Sequence, residues 1–175
     1  MKVQVLLPRP TFFGNLMFKI DIDEIRSYLN KQTKDTRIYL GCDSERLCIK
    51  NVWYADYAIV VVCHINGKNG CKIFGEVVRE RDFDQKKNRP NIRLMTEVFK
   101  VSETYLKLAD VLCDRHVEIH LDLNPSKKYG SNAILNQAIG YIRGTCNVIP
   151  MIKPKAWAAS TCADRLKELR EQQYN

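Results

Sequence analysis

Arg37-Ile38-Tyr39-Leu40-Gly41-Cys42-Asp43 places Ile38, Leu40 and Cys42 on one side and Tyr39, Gly41 and Asp43 on the other, the two-residue period of a β-strand. The carboxylate that closes the stretch therefore faces away from the aliphatic side. Val52 to His64 is a long β-branched and aromatic run, N-G-K-N-G at 66–70 is rich in turn formers, and Cys71 to Val78 is strand-like again. Short connections make these three strands antiparallel.

Downstream, Asn91 can cap a helix whose apolar positions Ile92, Met95, Val98, Phe99, Leu106 and Ala109 keep a helical period, with Leu94, Val101, Tyr105 and Leu108 widening the stripe. His116 to Leu123 alternates Val117, Ile119 and Leu121 against Glu118, His120 and Asp122, a strand with a polar row that ends in a carboxylate; Asn124 and Pro125 stop it. Ser131 or Asn132 caps a helix bearing Ile134, Leu135, Ala138, Ile139 and Ile142, which Gly144 ends. Cys146 to Ile152 reads as a short fifth strand. A last helix from Ala156 to about Glu171 turns Ala159, Cys162, Ala163, Leu166 and Leu169 inward and presents Trp157, Ser160, Thr161, Asp164 and Glu168 elsewhere. Upstream, Asp21 with Glu24 resembles a capping box ahead of Ile22, Ile25, Tyr28 and Leu29 on one helical face.

The expected fold is α/β: a five-stranded mixed sheet, three antiparallel strands and then helix-strand-helix-strand-helix, with helices on both faces and right-handed crossovers that make the later strands parallel to the first. Residues 1–35 are read as an N-terminal extension with one helix, and 36–172 as the main domain.

With 28 Lys and Arg against 20 Asp and Glu, the net charge of +8 over 175 residues favours a polyanionic partner. The seven cysteines include no C-x-x-C pair and are odd in number, so neither a zinc site nor a disulfide framework is indicated. The apolar run Val3 to Leu7 is cut off by Pro8 and Pro10, too short for a leader or a membrane span, and the expected location is the cytoplasm. There is no P-loop, dinucleotide fingerprint, G-x-S-x-G or H-E-x-x-H.

Four acids are placed as a metal site would need them: Asp43 and Asp122 closing strands, Glu97 early on a helix and Asp164 on the last helix. Converging carboxylates repel by about 4 kcal/mol per pair at about 4 Å and an effective dielectric of about 20, so a cation must hold them together. Magnesium or manganese, hard ions that take carboxylate oxygens, suit the set. Each acid also has an ordinary reading: strand-ending Asp residues start turns, and helix acids face solvent.

The strings I-Y-L-G-C-D-S from Ile38, E-I-H-L-D-L-N-P from Glu118, K-Y-G-S-N from Lys128 and K-P-K-A-W-A-A-S-T-C-A-D-R-L from Lys153 together resemble the RNase H-like superfamily, and more closely the YkuK-like family of RNase H-related nucleases, over roughly residues 36 to 170. The resemblance implies a two-metal nuclease whose ligands and catalytic residues are Asp43, Glu97, Asp122 and Asp164, with Glu103 on the same helix as the other acid that could take Glu97's place. Residues 1–35 have no counterpart in the core of that superfamily. On chemical grounds Asp43 suits a bridge between two Mg2+ or Mn2+ ions, Asp122 a hold on one of them, and Glu97 and Asp164 closure of the shell. Gly41 leaves space beside Asp43.

Lys127, Lys128, Lys153 and Lys155 follow the fourth and fifth strands and belong at the carboxyl edge of the sheet, a phosphate-contact surface to which Tyr129, Asn132 and Trp157 can add contacts. Capping explains Asn132 equally well, and packing explains Trp157. His120, Asn124 and Ser160 are candidates to orient the ligand acids, although His120 is also readable as a hydrogen-bonded core histidine. Basic side chains at Arg81, Lys86, Lys87 and Arg89 are diluted by Glu80, Asp82 and Asp84, which reads as a solvated loop. The expected partner is RNA, an RNA/DNA hybrid or DNA, with no membrane. Other readings of the chain are a non-catalytic module that binds nucleic acid or protein, and an endonuclease like the Holliday-junction resolvases.

Overall fold

The structure, a computed structural model, describes residues 19–85, 90–126 and 128–171. Its elements are α1 (Ile22–Asn30), β1 (Arg37–Ile49), β2 (Val52–His64), β3 (Cys71–Arg81), α2 (Asn91–Leu112), β4 (Val117–Leu121), α3 (Leu135–Cys146) and α4 (Ala163–Glu171), the last entered through a π-helical turn at Ala158–Cys162. The sheet runs β3-β2-β1-β4, antiparallel among the first three strands and parallel between β1 and β4.

The alternation along β1 sorts the two faces. Ile38, Leu40 and Cys42 join Ile25 and Leu29 of α1, Leu94, Val98, Val101 and Leu108 of α2, and Ala138 and Ile142 of α3 in the larger core. Tyr39 turns the other way, to Val60, Val62 and Val77 and to Ala158, Ala163 and Leu166 of the last helical segment. Burying a side chain such as Ile25 or Leu29, each fully covered, stabilises the fold by about 1.5–3 kcal/mol. Asp21 caps α1 as its spacing suggests, accepting from the N–H groups of Asp23 and Glu24.

The expected fifth strand is not formed among the described residues. Met151 makes a single parallel bridge to His120, with Met151 N–H donating to Ile119 O at 2.8 Å and Leu121 N–H to Met151 O at 2.9 Å. Pro150 and Pro154 flank it, and neither has the N–H that a longer ladder would use.

Other expectations are corrected by partners distant in sequence. β1 does not stop at Asp43 but continues to Ile49, forming a long hairpin with β2 through Lys50 and Asn51, both left-handed at φ 48° and 62°. Ile92, Phe99, Leu106 and Ala109 lie on the exposed side of α2, while Leu94, Met95, Val98, Val101, Leu108 and Leu112 are buried. An apolar pattern this wide left the orientation of the helix open. Asn91 does not cap α2; the Asp84 carboxylate accepts from the N–H groups of Ile92 and Arg93, at 3.0 and 2.8 Å. Two of the loop acids are not solvated, since Asp82 and Asp84 are both buried and Asp82 sits 2.6 Å from Arg46 Nε; Glu80 is exposed, and Lys86, Lys87 and Arg89 lie outside the described residues. Nor do Ser131 and Asn132 cap α3: Ser131 Oγ accepts from Asn124 N–H, and Asn132 Nδ2 donates to Pro125 O. Gly144 is inside α3, whose end is set by Asn147 at φ 54°.

Candidate functional site

The ladder between β1 and β4 decides where the acids meet. Its last rung is Cys42 to Leu121, so Asp43 and Asp122 are the next residues on two adjacent parallel strands. Among the described residues only β2 accompanies β1 beyond that point, and the sheet opens on the β4 side. Both side chains are 18% exposed. From one face α2 brings Glu97, fully buried; from the other, α4 brings Asp164.

Burial pushes the Asp43 carboxyl above its ordinary range; Lys167 pulls it back, and the negative charges of Asp122 and Asp164 push it up again. Glu97 is pushed well above the usual glutamate range by burial and then by Asp43, against relief from Ser44 and Arg93, with Asp122 adding to the rise. The four acids therefore share one electrostatic neighbourhood. Glu103 does not belong to it: the side chain is exposed and pairs with Lys107 at 2.7 Å.

Cations of the chain itself partly answer this charge. Lys167 Nζ lies 2.6 Å from Asp43 Oδ2 and 2.9 Å from Asp164 Oδ1. Burial would lower the Lys167 pKa, yet its hydrogen bonds to Asp43 and Asp164 and their charges raise it above the ordinary lysine value. Lys153 Nζ is 2.9 Å from Asp122 Oδ1, a charge contact without hydrogen-bond alignment. On the α2 side the Ser44 hydroxyl donates to Glu97, and Arg93 Nη1 donates to both the carbonyl and the hydroxyl of Ser44 at 2.7 Å while standing 4.0 Å from Glu97.

All four acids offer hard oxygen donors, the chemistry Mg2+ or Mn2+ takes. Among the described residues, however, no three His, Cys, Asp or Glu side chains draw close enough to hold an ion as they stand. Lys167 occupies the position between Asp43 and Asp164 instead. The donor set fits a divalent metal in kind; its oxygens would have to exchange lysine for metal and close in.

The sequence profile of the Ribonuclease H-like family matches residues 21–168. The chain belongs to this family. No curated protein and no solved structure matches it. The matched span includes α1, whose Ile25 and Leu29 are part of the main core.

In this ribonuclease H-like chain His120 is fully buried. Its Nδ1 accepts from Ala158 N–H at 3.0 Å, which assigns the proton to Nε2, 3.0 Å from Glu118 Oε2. Burial lowers its pKa against the raising effect of Glu118, and the neutral ring is the form that can accept from Ala158. His120 thus ties β4 to the π-helical turn, with Glu118 on its other nitrogen. Trp157 packs on Tyr39 and His120, with ring centroids 4.7 and 5.3 Å away, and keeps one edge in solvent. Ser160 bonds back to Ala156 O, and Asn124 Oδ1 accepts from Ser126 N–H. Lys128, Tyr129 and Lys155 are exposed on the loops after β4 and Met151, whereas Lys127 lies outside the described residues.

The space expected beside Gly41 is taken. A Cβ there would stand 2.5 Å from Ala159 N and 2.8 Å from Ala158 C, so the absent side chain is what lets the last helical segment approach β1 and bring Asp164 and Lys167 to the site. Lys167, Ser44 and Arg93 were not singled out in the sequence. The i,i+3 spacing of Asp164 and Lys167 was the available signal for the first; nothing local marks the others. Among the described residues no helix is long and apolar enough to cross a membrane.

Proposed function

We propose that this chain is a divalent-metal-dependent nuclease that hydrolyses phosphodiester bonds of nucleic acid. The observation that carries the reading is the adjacency of Asp43 and Asp122 just past the last rung of the parallel ladder, with Glu97 and Asp164 close enough to act on their charge. A pair of Mg2+ or Mn2+ ions bound there would activate water for in-line attack and stabilise the departing oxygen. Asp43, whose carboxyl feels Asp122 and Asp164 and whose charge acts on Glu97, is the carboxylate suited to be shared; Asp122 would hold an ion from just past β4, and Glu97 and Asp164 would close the set from the two helices. Ser44 and Arg93 fix the orientation of Glu97 through their hydrogen bonds. Gly41 and the neutral His120 hold the π-helical turn against the sheet so that Asp164 faces Asp43. Lys128 and Lys155, exposed on the loops after β4 and Met151, would contact the substrate's phosphates.

The test is a panel of labelled RNA, DNA, RNA/DNA hybrid and branched substrates incubated with Mg2+ or Mn2+. Cleavage is expected for the wild type and lost in Asp43→Asn with its circular dichroism unchanged. No cleavage of any substrate, or cleavage retained by Asp43→Asn, would reject the proposal. A second reading, a non-catalytic nucleic-acid-binding module on the same fold, is favoured by one observation: three of the four acids already carry lysine partners. That module would bind without added metal, with affinity falling steeply as salt rises.

A further inference from the structure

The ammonium of Lys167 touches two acids from different elements, Asp43 on β1 and Asp164 on α4, and is itself only 14% exposed. The oxygens it engages, Asp43 Oδ2 and Asp164 Oδ1, are ones a metal shared by those two residues would need. A carboxylate oxygen held by an ammonium cannot also face a dication at coordination distance, because the two cations would repel across a few ångströms. Lys167 also differs from an ordinary surface pair in place and number of partners. It follows Asp164 by one helical turn, on a four-carbon stem that reaches down to the strand, so withdrawing it requires rotation of that stem and not movement of the backbone.

We propose that Lys167 is a built-in competitor of the metal: it holds the acids together in the metal-free protein, and divalent cation binds by displacing it from Asp43 and Asp164. This rests on the metal-dependent reading above. It gives the site two cation states, one closed by the chain's own ammonium and one loaded, so that α4 stays docked on β1 in both.

Two measurements test it. In the first, Mn2+ affinity is measured by calorimetry for the wild type, Lys167→Met and Lys167→Arg. Removing the competitor in Lys167→Met is expected to tighten Mn2+ binding by about tenfold or more, within the usual range of site-to-site coupling. Its metal-free melting temperature falls below the wild type's, and Mn2+ raises it further than it raises the wild type's. Lys167→Arg keeps the charge and stays near wild-type affinity. In the second, which needs no variant and so does not depend on one folding, wild-type protein is briefly acetylated with and without saturating Mg2+ and mapped by mass spectrometry. Labelling at Lys167 is expected to rise severalfold with metal. Equal or weaker Mn2+ binding by folded Lys167→Met, or Lys167 labelling that stays level or falls while the wild type binds metal, overturns the competition and leaves the nuclease proposal standing. Absence of metal binding by both wild type and Lys167→Met overturns the two together.

Discussion

Two groups of acids in this fold are treated differently by the chain. Asp82 and Asp84, before α2, are spent on structure: Asp82 accepts from Asp84 N–H and pairs with Arg46, and Asp84 caps two backbone N–H groups. Asp43 and Glu97, at the end of the parallel ladder, are instead crowded with Asp122 and Asp164, and burial and mutual repulsion push both carboxyls up. Buried carboxylates satisfied by amides and a guanidinium are mortar. Those still short of positive charge after the chain has supplied its lysines are poised for a ligand.

Substitutions should separate the two groups. The largest expected effect is at Asp122→Asn, which should bring metal-dependent cleavage to background while thermal unfolding without metal changes little; a folded variant that still cuts would break the distinction. Next, Asp82→Ala leaves Arg46 without its carboxylate and is expected to cost about 3 kcal/mol in urea unfolding, a loss that Mn2+ does not restore. Asp84→Ala, which strips the α2 amides of their acceptor, should cost about 1–2 kcal/mol, again without rescue by metal. If metal restored either, the loop acids would belong to the site.

The smallest effect is on pH dependence. Because the folded-state pKa of Glu97 lies above its unfolded value, the folded protein binds the extra proton and the unfolded chain does not. Its contribution to stability is present in full below the ordinary carboxylate range and is lost as pH rises from there through the raised folded value. Metal-free wild type should therefore lose stability over that interval, and Glu97→Gln should flatten the slope in urea titrations run at several pH values. An unchanged slope would contradict the burial and repulsion assigned to Glu97.

How much of this could be read in the letters differs by element for physical reasons. The alternation of Ile38-Leu40-Cys42 and of Val117-Ile119-Leu121 specifies both strands and the face turned to the larger core, because a two-residue period puts the aliphatic set on one side. That reading also puts Asp43 and Asp122 on neighbouring strand ends. The β1–β2 turn was hidden because Lys50-Asn51 lacks the glycine that usually marks a left-handed pair. The Asp84 cap was hidden because its amides are eight and nine residues away. On α2, apolar residues on nearly every side left the phase open, and burial chose the face with Leu94 and Leu108 over the one with Phe99. Nothing around Lys167 in the sequence marks its partner on β1, which it meets because Gly41 lets the last helical segment down onto the strand.

The most direct test of the central claim is the melting temperature of wild type and Asp43→Asn, each with and without millimolar Mn2+. A gathered acid site predicts a rise for the wild type, corresponding to about 2.7 kcal/mol if the free ion reaches about a hundred times its Kd, and little or none for Asp43→Asn. Equal curves for the wild type with and without Mn2+, or the same rise in both proteins, would contradict it.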